Sequence, residues 1–196
     1  MLFVSIAAVS GTAAEKDQPK FNARPVGEYP HRQTSEKVTI AAQPFETDEE
    51  AREAFGKVNP YRLGILPVLI VIQNDGPDAV RLDAAKFIYV LPDRTRVEAV
   101  PARELKTLHG ARKPPSVAKP TGGISIGKLP KNPLGEWEIE GRALAVQMLP
   151  PGQSASGFVY FEVPQSSQAA SVYISGLMNA VTRNELYYFE IPMSGK

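Results

Sequence analysis

The side chains in this 196-residue chain with the chemistry for catalysis are few: two histidines, two serines after a Pro-Pro-Gly turn, and three closely spaced glutamates. His31 lies in a polar stretch and His109 at the root of a basic loop, so both read as solvated loop histidines and no metal site is expected. Ser154 and Ser156 lack the G-x-S-x-G elbow of an activated nucleophile, and His109 is the one base within reach of the reading. Glu136, Glu138 and Glu140 of "EWEIE" would project from one face of a strand, with Trp137 and Ile139 on the other. Carboxylates hydrolyse glycosides when two of them face each other across a cleft, and three in a row on one strand do not. The ordinary reading is a solvated strand face with Trp137 and Ile139 turned to the core. The alternative is a ligand site built from Trp137, Glu136 and Glu138, in which the single tryptophan stacks on a sugar ring. Gly122-Gly123 and "ISIGK" suggest a phosphate loop, but Leu129 follows Lys128 where Ser or Thr would have to stand. The absence of cysteine removes thiolate nucleophiles, thiolate metal sites and disulfides. No catalytic residue, metal or cofactor is expected.

The strongest binding signal is the segment 109–135, "HGARKPPSVAKPTGGISIGKLPKNPLG". It carries Arg112, Lys113, Lys119, Lys128 and Lys131, and no acid stands between Glu104 and Glu136. Such a segment suits docking to an anionic polymer or an acidic protein surface, with an attraction that falls as salt rises. Its apolar anchors are Ile124, Ile126, Leu129 and Leu134, and it has no aromatic ring, so base stacking on nucleic acid is not expected. A loop kept soluble by its lysines is the competing reading.

These residues must be positioned by a fold, and the composition bounds it. A formal charge of +1 argues against a molecule built as a whole for nucleic acid or membrane surfaces. With 43% hydrophobic residues a core is within reach, and 18 prolines favour turns and strand ends over long helices. "LFVSIAAVS" followed by small residues at Thr12 and Ala14 suits a signal peptide over 1–14, cut after Ala14. The basic n-region is missing, which a start lying further upstream explains. Neither this run nor "LGILPVLIVI" (63–72), broken by Pro67, is long enough to span a bilayer. A periplasmic or secreted protein is expected.

Residues 15–36 are polar without hydrophobic period and read as a flexible tether, leaving 37–196 as a single domain. Thr47 and Glu50 form a capping box that opens a helix over 47–57, whose Ala51, Ala54 and Phe55 make a narrow apolar stripe. Residues 64–73 are a near-continuous apolar run, as in a strand covered on both faces. Further strands are expected at 37–45, 79–83, 86–91, 96–100, 136–149, 158–163, 171–177 and 185–192, with a short helix over 102–108. Inward faces are assigned to Leu144, Val146 and Met148, to Val159, Phe161 and Val163, and to Tyr187, Phe189 and Ile191. Gly157 reads as a bend or bulge at the entry of its strand.

The strands and turns of "VLIVIQNDGPDAVRLDAAKFIYVLPD", "LPPGQSASGFVYFEVP" and "ASVYISGL" resemble immunoglobulin-like domains of exported bacterial proteins of unknown function. The resemblance covers about 37–100 and 143–191 and implies a mainly β, antiparallel immunoglobulin-like sandwich of about 7–9 strands. It carries no catalytic signature, and such sandwiches host many functions. The expected function is a non-enzymatic binding or structural module of the bacterial cell envelope, docking an envelope protein or an anionic polymer through 109–135. The rival is a carbohydrate-binding or carbohydrate-active sandwich using Trp137 and its glutamates.

Overall fold

The computed structural model describes residues 21–108, 134, 137–164 and 171–193. Strands β1 (Arg32–Ser35) and β2 (Val38–Pro44) form a hairpin, followed by helix α1 (Asp48–Phe55) and the long strand β3 (Ile65–Asn74). Strands β4 (Val80–Arg81), β5 (Lys86–Val90) and β6 (Arg96–Val100) lead to helices α2 (Ala102–Leu108) and α3 (Trp137–Gly141). Strands β7 (Met148–Leu149), β8 (Ser154–Glu162), β9 (Ser171–Ser175), β10 (Met178–Asn179) and β11 (Phe189–Pro192) complete the fold.

Among the described residues, 11 strands make two antiparallel sheets, one of eight in the order β1-β2-β3-β8-β6-β5-β9-β11 and one of three in the order β10-β4-β7. The large sheet curls until its outer strands meet. Gln33 Oε1 accepts from Glu190 N at 2.7 Å and Glu36 Oε1 from Tyr187 N at 3.0 Å, giving the sandwich a near-barrel character. Side chains thus stand in for the ladder bonds that would close a barrel.

Strand β3 shows why the chain needs two cores. Its Leu66, Val68, Ile70 and Ile72 face the interior with Val38 and Ile40 of β2, Phe161 of β8, Val172 and Ile174 of β9, and Phe189 and Ile191 of β11. Its Ile65, Leu69 and Val71 face outward into a second cluster with Phe45, Ala54, Phe55, Phe158 and Tyr160. A strand apolar on both faces must be covered on both, and the helices are the cover. The α1 stripe of Ala51, Ala54 and Phe55 is buried as its spacing requires, and the capping box forms, with Glu50 N donating to Thr47 Oγ1 (3.2 Å) and Thr47 N to Glu50 Oε2 (3.1 Å). Val159, Phe161 and Val163 turn inward, while Phe158 and Tyr160 join the outer cluster.

Several expectations are corrected. The expected tether runs into ordered structure, since β1 pairs with β2 and Tyr29 is buried. An edge strand held by backbone bonds needs no apolar alternation, so its polar sequence gave no sign of it. Residues 136–149 are not one strand: Trp137–Gly141 is helical, Ala143 makes an isolated bridge to Phe158, and the named strand is Met148–Leu149, with Met148 53% exposed. Leu144 and Val146 do lean on the interior cluster, but from an extended segment outside the named strands. Tyr187 is 75% exposed because β11 begins only at Phe189.

Gly157 has a different role from the expected bend. The segment 143–144 crosses directly over it, with Phe158 N donating to Arg142 O (2.8 Å) and Leu144 N to Phe158 O (3.0 Å). Asn74, fully buried at the end of β3, ties the turn that follows it to β7. Its side-chain amide donates to Asp78 O (2.9 Å) and Leu149 O (3.1 Å), and its Oδ1 accepts from Gly76 N (3.0 Å).

Candidate functional site

Of the residues singled out in the sequence, Trp137, Glu138 and Glu140 lie on α3, on the helix-covered side of the large sheet. Arg112, Lys113, Lys119, Lys128 and Lys131 lie outside the described residues, as do Glu136 and the Trp137 side chain. What the structure describes is their frame. Leu105 of α2, Leu134 and Ile139 of α3 are all buried in the outer cluster. Lys106 Nζ stands 3.9 Å from Glu140 Oε2, linking α2 to α3 across exposed side chains. Of the expected anchors, Leu134 is described, and it is 2% exposed.

Helix α3 separates the glutamates that a strand would have aligned. Glu140 points outward toward Lys106. Glu138 is half-buried, and its Oε2 is enclosed with no hydrogen-bond partner among the described residues. One turn further on, Arg142 lies over the Phe21 ring at 5.8 Å. Burial lowers the pKa of the Arg142 guanidinium, against the pull of the Glu138 carboxylate. Tyr160 donates its hydroxyl to Ile139 O at 2.6 Å, and burial pushes its phenol up, with Arg142 drawing it partly back. The cluster is one carboxylate beside one guanidinium and a phenol already engaged by backbone. Of its contacts, the hydrogen bond from the Tyr160 hydroxyl to Ile139 O is the one that fixes α3 on β8. The common face on which the glutamates were aligned is therefore corrected. The five residues of α3 alternate apolar and acidic, which imitates a strand.

The remaining candidates are dispersed. Ser154 and Ser156 are exposed on β8. His31 is half-buried, and its carbonyl accepts from Ala42 N at 3.0 Å, extending the β1–β2 ladder. His109 lies outside the described residues. Among the described residues, no group of three or more His, Asp or Glu side chains is placed to hold a metal ion, and no helix is long and apolar enough to cross a membrane. A feature that sequence reading missed lies beside α1, where Arg52, Lys57 and Arg62 border a single open groove. Their spacing of five residues matches neither a helix nor a strand period, so no pattern gave them away.

No protein-family model matches the chain, and no curated protein matches it. Among solved structures it is similar to MPT63, a secreted protein from Mycobacterium tuberculosis, at 11% identity over 81% of this chain and 91% of that one, with a TM-score of 0.36. It is also similar to a functionally unknown protein from Listeria monocytogenes EGD-e, at 11% identity over 84% and 82% of the two chains, with a TM-score of 0.35. A third similar structure is the putative ApaA protein from Bordetella pertussis, at 12% identity over 85% and 92%, with a TM-score of 0.31.

Proposed function

We propose that this chain is an exported, non-enzymatic immunoglobulin-like β-sandwich module of the bacterial cell envelope, and that it docks an envelope protein or an anionic polymer through 109–135. The observation that carries the docking part is the frame around that segment. Leu105, Leu134 and Ile139 share one buried cluster, and Lys106 and Glu140 link the flanking helices. A cation-rich segment rooted in a packed core at both ends presents its charges with less loss of loop-closure entropy than a free tail would. The immunoglobulin-like character is supported by two halves of a curled antiparallel sheet packing across one apolar interior. Export is supported by the apolar run and small residues before Glu15.

The test compares the wild type with a variant in which Arg112, Lys113, Lys119, Lys128 and Lys131 are changed to Gln. Both are applied to immobilised anionic polymer and to cell-envelope extract at low salt. Retention by the wild type that is lost at high salt and in the variant supports the reading. Equal retention of both proteins refutes it. N-terminal sequencing of the protein recovered from the envelope fraction is expected to start at Glu15, and a start at Met1 refutes the export step.

A further inference from the structure

Four neighbouring strands, β6, β5, β9 and β11, present one continuous row of side chains on the outer face of the large sheet. Their registers set Glu98 beside Ile88, Ile88 beside Tyr173, and Tyr173 beside Glu190. Paired residues on adjacent strands point to one face. The alternate residues Val97, Tyr89, Val172, Ile174 and Phe189 pack in the interior cluster, so this row faces outward. Among the described residues, the outer cluster that the helices share does not extend over β5, β9 and β11. Three strand spacings, about 14 Å, separate the two ends of the row.

Tyr173 is braced in this row from two sides. The Tyr188 ring stacks on it, with centroids 5.2 Å apart and planes at 29°, and the Arg96 guanidinium lies over it at 5.5 Å. Arg96 belongs to β6 and Tyr188 leads into β11, so Tyr173 of β9 stands between them in the sheet order. Tyr188 is itself 53% exposed. Rings held in place before a ligand arrives lose little freedom on contact. The charges around the two tyrosines are of both signs, Lys86 and Arg96 against Glu98 and Glu190, and all four side chains are exposed. Among the described residues none of the four belongs to an ion pair. Glu190 accepts only the Ser171 hydroxyl on its side chain, at 3.2 Å.

We propose that this face binds a neutral glycan chain, with one sugar resting on the Tyr188–Tyr173 pair and the hydroxyls around it bonded to Glu98, Glu190 and Arg96. The interleaved charges select neutrality. An anionic polymer meets Glu98 and Glu190, and a cationic one meets Lys86 and Arg96, so either gains attraction and repulsion together. The same charges select hydroxyls. A charged group covered without a partner is costly, and a hydroxyl both donates to a carboxylate and accepts from a guanidinium. A protein partner fits the face poorly, because protein interfaces exclude Lys and Glu from around their aromatic centre. Here Glu190 stands directly beside Tyr173. A sugar ring lays its C–H groups on the electron-rich face of an aromatic ring while its hydroxyls extend to the rim. The row is longer than one sugar ring covers, which favours a chain over a monosaccharide.

The test titrates the full chain with four neutral hexasaccharides, of β-1,4-glucose, α-1,4-glucose, β-1,4-mannose and β-1,4-N-acetylglucosamine, at low and high salt. Polygalacturonate and decaproline serve as the anionic and the peptide comparison. The expected result is binding of at least one hexasaccharide that salt leaves unchanged, since the ligand carries no charge. Tyr188→Ala should weaken it about tenfold, as the loss of an aromatic anchor implies, and Tyr188→Phe, which keeps the ring, should bind within about threefold of the wild type. Glu98→Ala, at the far end of the row, should weaken it about threefold through a lost hydrogen bond. Tyr188 and Glu98 are both exposed, so the fold is expected to survive either change, which a melting curve checks. The variant lacking the five cations of 109–135 should keep this binding, which separates the face from the docking proposed above. The inference is overturned if no hexasaccharide binds, or if Tyr188→Ala binds as tightly as the wild type. It is also overturned if Tyr188→Phe loses as much as Tyr188→Ala, or if polygalacturonate or decaproline binds as tightly as the best hexasaccharide.

Discussion

Gly157 offers the sharpest test of how the two cores are joined. A Cβ at this position would lie 2.4 Å from Leu144 Cα, 2.6 Å from Leu144 N and 2.9 Å from Ala143 C. Carbon atoms in good contact stand about 3.5–4 Å apart, so the crossing segment would have to withdraw by about 1 Å. It is backbone, and it is bonded to β8 on both sides of the crossing, through Phe158 N to Arg142 O and Leu144 N to Phe158 O. Two outcomes are open to Gly157→Ala. Either the clash persists as overpacking, at about 1–3 kcal/mol, or the segment lifts and both bonds are lost, at about 0.5–1.5 kcal/mol each with a further penalty for any group left buried and unpaired. Either route leads to a loss of about 1–3 kcal/mol, and more where a group is left buried and unpaired. Gly27→Ala is the matched control, because no heavy atom lies within 4 Å of its added Cβ, and it should stay within about 0.5 kcal/mol of the wild type. Urea unfolding reads both. At a slope of about 2 kcal/mol per molar, the Gly157 variant should unfold about 0.5–1.5 M earlier. If Gly157→Ala and Gly27→Ala unfold together, the close crossing is wrong, and the glycine serves the bend that its sequence context suggests.

Other substitutions probe neighbouring points of the frame. Asn74→Ala strands Gly76 N, Asp78 O and Leu149 O around a buried site and should cost about 2–4 kcal/mol by urea unfolding; a loss below about 1 kcal/mol would mean water replaces the amide. Thr47→Ala removes the α1 cap and should cost about 1 kcal/mol, with no change expected at neighbouring Glu46→Gln. The β1–β2 turn places Lys37 at φ 62°, so Lys37→Gly should raise the stability by about 0.5–1 kcal/mol, and a loss would show that the lysine side chain braces the turn. Tyr160 is held protonated by burial, so its contribution is fully present below the unfolded tyrosine pKa of about 10 and is lost as pH rises through the higher folded value. Alkaline unfolding should therefore accompany phenolate formation and shift to higher pH in Tyr160→Phe; unchanged alkaline unfolding would assign the effect to another group.

The elements legible in the sequence are those whose signals are local or doubly redundant. Helix α1 announces itself through Thr47, Glu50 and the Ala51–Ala54–Phe55 stripe within a single turn or two, and β3 through unbroken apolar character on both faces. Helix α3 was hidden because five residues do not separate a period of 2 from one of 3.6, and Ile139 is buried under either reading. Tyr187 was assigned inward by extending the alternation of Phe189 and Ile191 past the start of the strand. Its neighbour Tyr188 instead stacks on Tyr173 of β9, with ring centroids 5.2 Å apart, on the outer face of the sheet. Strand β1 and the α1 groove share a deeper reason for being illegible. The first is held by backbone groups that every residue has, and the second is assembled from a helix, a turn and a 3-10 segment whose proximity is a property of the fold.

The placement of the candidate sites follows from the two-faced strand. Because β3 and β8 are apolar on their outward faces at Ile65, Leu69, Val71, Phe158 and Tyr160, the chain must supply cover, and it does so with insertions between strands. Helix α1 is inserted between β2 and β3, and α2 and α3 between β6 and β7. Inserted segments are free of strand register, so they can vary in length and charge while their inward residues keep the core closed. Arg52, Lys57 and Arg62 sit on or beside one insertion, and 109–135 occupies the other. Among the described residues, the outer cluster that the helices share does not extend over β5, β9 and β11. If docking resides in the cover, a substitution on the outer face of those strands, such as Tyr188→Ala, should leave it intact while the five changes in 109–135 remove it.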